Sequence, residues 1–144
     1  ANYDVSATVL KDFVKPYVVF ERDGVKIGVL GLGCQLEGMV QANKCVGVVY
    51  NDPVTVANEV AAVLKEKEGC DVVVCLSHLG VQYDENQLIP KTRNIDVVLG
   101  GHSHTFMKGP KTLLNMDGKN VSLMHTGKSG IYVGQMDLTL EKKK

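Results

Sequence analysis

The sequence predicts an α/β domain built on a mixed sheet, and three observations carry that expectation. Residues 71–77 are a continuous apolar run of strand length, the pattern of a strand covered on both faces, and 95–99 read as another buried strand. A helical pattern precedes the first run and a shorter one separates the two, so strands and helices alternate. The last third changes to hairpin signals, which adds antiparallel pairing to an otherwise parallel arrangement.

Taken in order, residues 17–20 are a short β-rich run. Glu21-Arg22-Asp23-Gly24 reads as a tight turn, because Asp-Gly tolerates the positive φ that such a hairpin needs. Residues 25–32 are its partner strand. Asp52 is placed to cap a helix with Pro53 at its first position, and Val56, Val60, Val63 and Leu64 recur at helical spacing to about Lys67. Gly69 ends it, and the strand 71–77 follows. A shorter helix is expected over 84–91, then the strand 95–99, which runs into Gly100-Gly101. Residues 111–114 and 121–125 flank Asp117-Gly118 as a hairpin, and 131–140 reads as a closing strand.

A chain of 144 residues is one domain's worth, and 44% hydrophobic against 22% charged residues is a globular rather than a disordered balance. Sixteen basic residues offset sixteen acidic ones, so no general attraction to nucleic acid or an anionic membrane follows. Residues 141–144, with Lys142, Lys143 and Lys144, read as a basic tail appended to a domain over 1–140. No apolar run approaches the ~20 residues of a membrane span. The chain starts at Ala1, so the lack of a leader says little about compartment. Cys34, Cys45, Cys70 and Cys75 form no CxxC pair and no zinc-like spacing. Cys70 and Cys75 bracket a strand and read as small buried thiols; a disulfide remains open.

Polar residues break the apolar pattern at two places. One strand ends Leu76-Ser77-His78-Leu79-Gly80 and the next ends Leu99-Gly100-Gly101-His102-Ser103-His104. Ligands of open α/β sheets bind outside the carboxyl ends of the strands, and a crossover helix would set these two ends side by side. His78, His102 and His104 would then converge, and neutral imidazole is a common ligand of transition metals. The glycine pair is expected to let the backbone bend sharply enough to aim the rings. His125, inside a strand, reads as structural or as a support behind the ligands. Asp84, Glu85 and Asp96, the nearest acids, read as structural.

Other motifs fare worse. Gly31-Leu32-Gly33 follows a strand, but Leu36 stands where a dinucleotide fingerprint needs its third glycine. Gly127-Lys128-Ser129-Gly130 ends like a phosphate loop without its upstream spacing and reads as a turn. Cys34 or Cys45 as a nucleophile would need a histidine base beside it.

SHLG at His78, DVVLGGHSHT over 96–105 and HTGKSGIYVGQMDLTL over 125–140 together resemble the calcineurin-like metallophosphoesterases, and among them the 5'-nucleotidase family. The opening ANYD and the hairpin VKPYVVFERDGVKIGVLGLG are similar as well. The resemblance implies a mixed sheet that is part of a four-layer α-β-β-α sandwich. It also implies a two-metal hydrolase that converts a nucleoside 5'-phosphate to nucleoside plus phosphate. Two divalent ions, roughly 3.5–4 Å apart, then activate water and clamp the phosphate. By motif match His78 and His102 would bind one ion and His104 the other; Zn, Mn, Co, Fe and Mg are not distinguished.

The family's Asp-x-His, Gly-Asp and Gly-Asn-His-Glu motifs do not occur in this sequence. The last of these carries the catalytic histidine, so no catalytic residue is assigned here, and substrate-binding residues are unknown. The chain is therefore expected to be the C-terminal half of a catalytic domain, to be inactive alone, and to self-associate or pair with the missing N-terminal half. By resemblance the compartment would be periplasmic, cell-surface or secreted. Two competing readings are a non-catalytic module that kept the fold to bind metal or protein, and an α/β domain with incidental histidines.

Overall fold

The computed structural model describes residues 1–141; Lys142, Lys143 and Lys144, read as most of a basic tail, lie outside the described residues. Two short strands, β1 (Tyr3–Asp4) and β4 (Val49–Tyr50), pair antiparallel beside the main sheet. The main sheet opens with β2 (Tyr17–Arg22) and β3 (Val25–Gly33), joined by the expected turn, in which Asp23 (φ 51°) and Gly24 (φ 77°) both take left-handed backbone.

Helix α1 (Pro53–Ala62) starts as its sequence requires. The Asp52 carboxylate accepts from the Thr55 backbone N–H at 2.8 Å and from its hydroxyl at 2.7 Å. The helix continues through a wider π-type turn over Val63–Lys67 into β5 (Val72–His78). Helix α2 (Val81–Tyr83) runs on through Asp84–Leu88 and Ile89–Lys91, so it begins three residues before the expected start. The reason is non-local: the Ser103 hydroxyl accepts from the Val81 N–H at 3.1 Å and satisfies a first-turn donor. Then come β6 (Val97–Gly100), β7 (Lys111–Leu114) and β8 (Asn120–His125).

The six strands lie in the order β2-β3-β5-β6-β8-β7. The inner four are parallel and the two edge strands antiparallel, which is the mixed α/β sheet expected. The registers Leu30↔Cys75, Cys75↔Val98 and Val98↔Leu123 put one row of side chains on the helical face. There they pack with Ala57, Ala61, Leu64, Leu88 and Ile89 into a single core. The opposite face, with Val29, Val74, Leu76, Leu99 and Met124 in neighbouring register, carries no helix among the described residues.

The closing strand expected over 131–140 does not form: among the described residues this segment joins no ladder. Its first apolar residues, Ile131, Tyr132 and Val133, stay exposed. Gly134, Gln135, Met136 and Leu138 wall a groove with Val74, Val97, Leu99 and Met124. Among the described residues no helix is long and apolar enough to cross a membrane.

Candidate functional site

The parallel registers Ser77↔Gly100 and Gly100↔His125 bring the carboxyl ends of β5, β6 and β8 level. At this edge the His78 and His102 imidazoles meet edge to face, with ring centroids 5.1 Å apart. His78 is exposed and His102 half-buried. His104, two residues on, is exposed. Among the described residues no group of three or more His, Cys, Asp or Glu side chains is close enough to hold one ion. Two of the three sequence-derived ligands are therefore brought together and the third stands apart from them.

The glycine pair acts differently from expectation. Neither Gly100 nor Gly101 has positive φ; the left-handed residues are the histidines themselves, His102 (φ 72°) and His104 (φ 55°). Such backbone costs a non-glycine residue roughly 1–3 kcal/mol, and it gathers where function constrains the chain. Gly100 is needed for room: a Cβ there would overlap the His125 imidazole. A Cβ on Gly101 would stand 3.2 Å from His78 Nδ1.

Next to the pair, with Ser77 adjoining His78 in β5, lies a buried polar group of three. The Asp84 carboxylate is fully buried, His125 is 1% exposed and Ser77 4%. Ser77 Oγ donates to Asp84 Oδ1 at 2.5 Å, and His125 Nε2 donates to Asp84 Oδ2 at 2.9 Å, since a carboxylate only accepts. His125 Nδ1 is the one buried side-chain polar atom without a partner among the described residues. Leaving such an atom unpaired costs about 1–3 kcal/mol.

Asp84 is structural as expected, but it serves this edge of the sheet rather than the surface. Ser77 was not singled out by the sequence reading, although it holds the inward register of Val73 and Cys75 and a polar residue there requires a partner. The other acids are engaged elsewhere. Asp96 accepts from the Val73 N–H at 2.7 Å and pairs with Lys65 at 2.8 Å, at the opposite end of the strands, and Glu85 pairs with Lys111 at 3.0 Å. The four cysteines are free thiols; burial, with the Asp84 charge adding to it, pushes the Cys75 thiol far up, so it is not a nucleophile. Gly127, Ser129 and Gly130 all have positive φ, so the GKSG segment is the turn expected.

The donor chemistry fits the nitrogen part of a divalent-metal site: two imidazoles with reachable edges, held at strand ends near a buried carboxylate. It does not fit a complete two-ion site, because no carboxylate joins the pair among the described residues.

No protein-family model matches the chain. The trifunctional nucleotide phosphoesterase YfkN of Bacillus subtilis is 27% identical over 160 residues, covering 99% of this chain and 11% of that protein. A 5'-nucleotidase of Diplobatis ommata is 28% identical over 143 residues, covering 90% of this chain and 24% of that protein. Among solved structures, the NAD nucleotidase of Haemophilus influenzae superposes with a TM-score of 0.71 at 26% identity, over 87% of this chain and 27% of that one. The calcineurin-like phosphoesterase YfkN superposes at 0.62 and 26% identity, over 76% and 37%. This chain thus spans about a tenth to a quarter of the curated relatives it matches. Sheet, strand-end histidines and relatives agree on the metallophosphoesterase class. Within it, the similarity is to the 5'-nucleotidase family.

Proposed function

We propose that this chain supplies part of the active centre of a two-metal phosphoester hydrolase of the 5'-nucleotidase type. The reaction would convert a nucleoside 5'-phosphate to nucleoside and phosphate. The observation that carries this reading is the His78–His102 pair at adjacent parallel strand ends, in a chain whose relatives are nucleotide phosphoesterases. His78 and His102 would hold one divalent ion and His104 a second. Such ions, when bound, polarise a phosphoryl oxygen and acidify water. This chain's own contribution is to hold the imidazoles at fixed spacing with their free edges outward.

The chain alone falls short of that centre. Two unit charges about 4 Å apart already repel by roughly 4 kcal/mol at an effective dielectric near 20, and a pair of dications by more, so a two-ion site needs anionic ligands. Asp84, Asp96 and Glu85 are committed elsewhere. The isolated chain is therefore expected to bind at most one ion weakly and to lack turnover. On this reading it is the C-terminal half of a catalytic domain, contributing one sheet and one helical layer of the four-layer sandwich. It would associate with itself or with the missing half. The compartment proposed is periplasmic, cell-surface or secreted.

Calorimetric titration with Mn²⁺ or Zn²⁺ tests the reading: one ion should bind, and His78→Ala or His102→Ala should abolish it. Unchanged binding in both variants would sink the assignment. A phosphate-release assay on AMP should stay at the blank; turnover near the usual ~1–1000 s⁻¹ of enzymes would refute the claim of inactivity.

A further inference from the structure

We propose that Asp84, acting through Ser77 and His125, is the positioning residue that sets the spacing of the His78 and His102 imidazoles. The inference rests on the metal reading for its purpose, but its content is the geometry of three strand ends.

Each member of the buried group belongs to a different part of that edge. Ser77 precedes His78 in β5, and its hydroxyl both donates to Asp84 and accepts from the Leu79 N–H at 3.3 Å, so it braces the backbone on both sides of His78. His125 ends β8, and its carbonyl accepts from the Met107 N–H at 3.0 Å, beyond the His102–His104 loop. Its ring lies across the space where a side chain of Gly100 would be, and so passes β6 to reach Asp84. Asp84 sits in the helix that follows β5, with its N–H donating to the Gly80 carbonyl at 3.0 Å. The same helix start is tied to Ser103, between the two histidines, through the Val81 N–H. One carboxylate thus fixes β5 and β8 to each other underneath β6, and the loop bearing His102 is held between them.

A purely stabilising role accounts poorly for this group. A buried acid–histidine pair is often replaceable by apolar residues without loss of stability. This one also leaves His125 Nδ1 unpartnered and requires Gly100 to carry no side chain. Polar groups placed behind metal-binding histidines fix ring orientation, and their removal commonly weakens metal affinity about 10–100-fold.

The test uses the full chain with labelled histidines and needs no turnover. In the metal-free protein, a nuclear Overhauser contact between the His78 and His102 ring protons reports the spacing directly. Ser77→Ala leaves the Asp84–His125 bond in place. The triple variant Ser77→Ala/Asp84→Leu/His125→Met removes every buried polar side-chain atom of the group at once, so it leaves none of them unpaired, whereas Asp84→Leu alone would. Leu88→Ala, a cavity in the same core, is the control for general loosening. The ring contact is expected in the wild type and in Leu88→Ala. It should be lost in the triple variant and reduced several-fold in Ser77→Ala, with native circular dichroism throughout. Cobalt(II) affinity should fall about 10–100-fold in the same two variants, with an altered visible spectrum. Wild-type ring contacts in the folded triple variant would overturn the proposal, as would equal loss in Leu88→Ala. If the wild type shows the contact but binds no cobalt, the metal reading fails and the ring contact still decides the positioning role.

Discussion

At the scale of single residues, the edge of the sheet separates two reasons for a glycine. Gly100 has ordinary φ, and its hydrogen atom is what admits the His125 ring. Gly31, two strands away in the same sheet, also has ordinary φ, but a Cβ there would meet only the Leu76 carbonyl oxygen at 4.0 Å. Gly100→Ala is therefore expected to destabilise the fold by about 1–3 kcal/mol, as overpacking does. Gly31→Ala should stay within about 0.5 kcal/mol of wild type. Urea unfolding of the two variants checks the contrast, and equal effects would mean the His125 ring yields at little cost. His104 offers the converse. It is exposed and left-handed at φ 55°, so His104→Gly should stabilise the chain by up to about 1 kcal/mol. A loss of stability in that variant would show that the histidine backbone is held there by contacts stronger than its strain.

At the scale of elements, α1 carries a pH-dependent cap. The Thr55 backbone N–H, together with its hydroxyl, holds the Asp52 carboxyl below its ordinary value. A carboxyl whose folded value is depressed stabilises the protein above its unfolded value, about 3.9, and loses that contribution as pH falls through the lower folded value. Asp52→Ala should thus destabilise by about 1 kcal/mol at pH 7, with the gap to wild type closing below roughly pH 4. Chemical unfolding at pH 7 and pH 3 measures both. This cap was readable because Asp52, Pro53 and the apolar spacing are local in sequence. The β2–β3 turn and the runs that became β5 and β6 were readable for the same reason. What escaped was set by distant partners. The start of α2 depends on Ser103, twenty-two positions from the Val81 N–H it accepts. The segment 131–140 alternates like a strand yet joins no ladder, only part of it bordering a sheet face, and alternation alone supplies no pairing partner. At the site, His78 and His102 were legible as strand-end polar residues. The Ser77–Asp84–His125 group was not, since it joins three elements across up to 41 positions.

At the scale of the whole molecule, the two faces of the main sheet are unequal. The helical face is closed by Leu64, Leu88 and Ile89, each no more than 1% exposed. On the other face Leu76 is 47% exposed and Leu99 40%, side by side in register, with Val18 and Phe20 similarly open on the edge strand. Gly134, Gln135, Met136 and Leu138 border the part of that face that holds Val74, Val97, Leu99 and Met124. Contiguous apolar surface of this kind on a sheet is characteristic of an interaction site, and His78 stands on the same face at its rim by register. A layer covering this face would therefore reach the imidazole pair and could bring acidic ligands to it. Alone in solution the chain is expected to satisfy the face with a second copy, giving a concentration-dependent dimer by sedimentation equilibrium. Leu76→Lys/Leu99→Lys should shift it to monomer, and because both side chains are already open to water, the unfolding midpoint should barely move. A wild-type chain that stays monomeric at high concentration would count against the open face as an interaction surface. A double variant that unfolds would show that these leucines belong to the core.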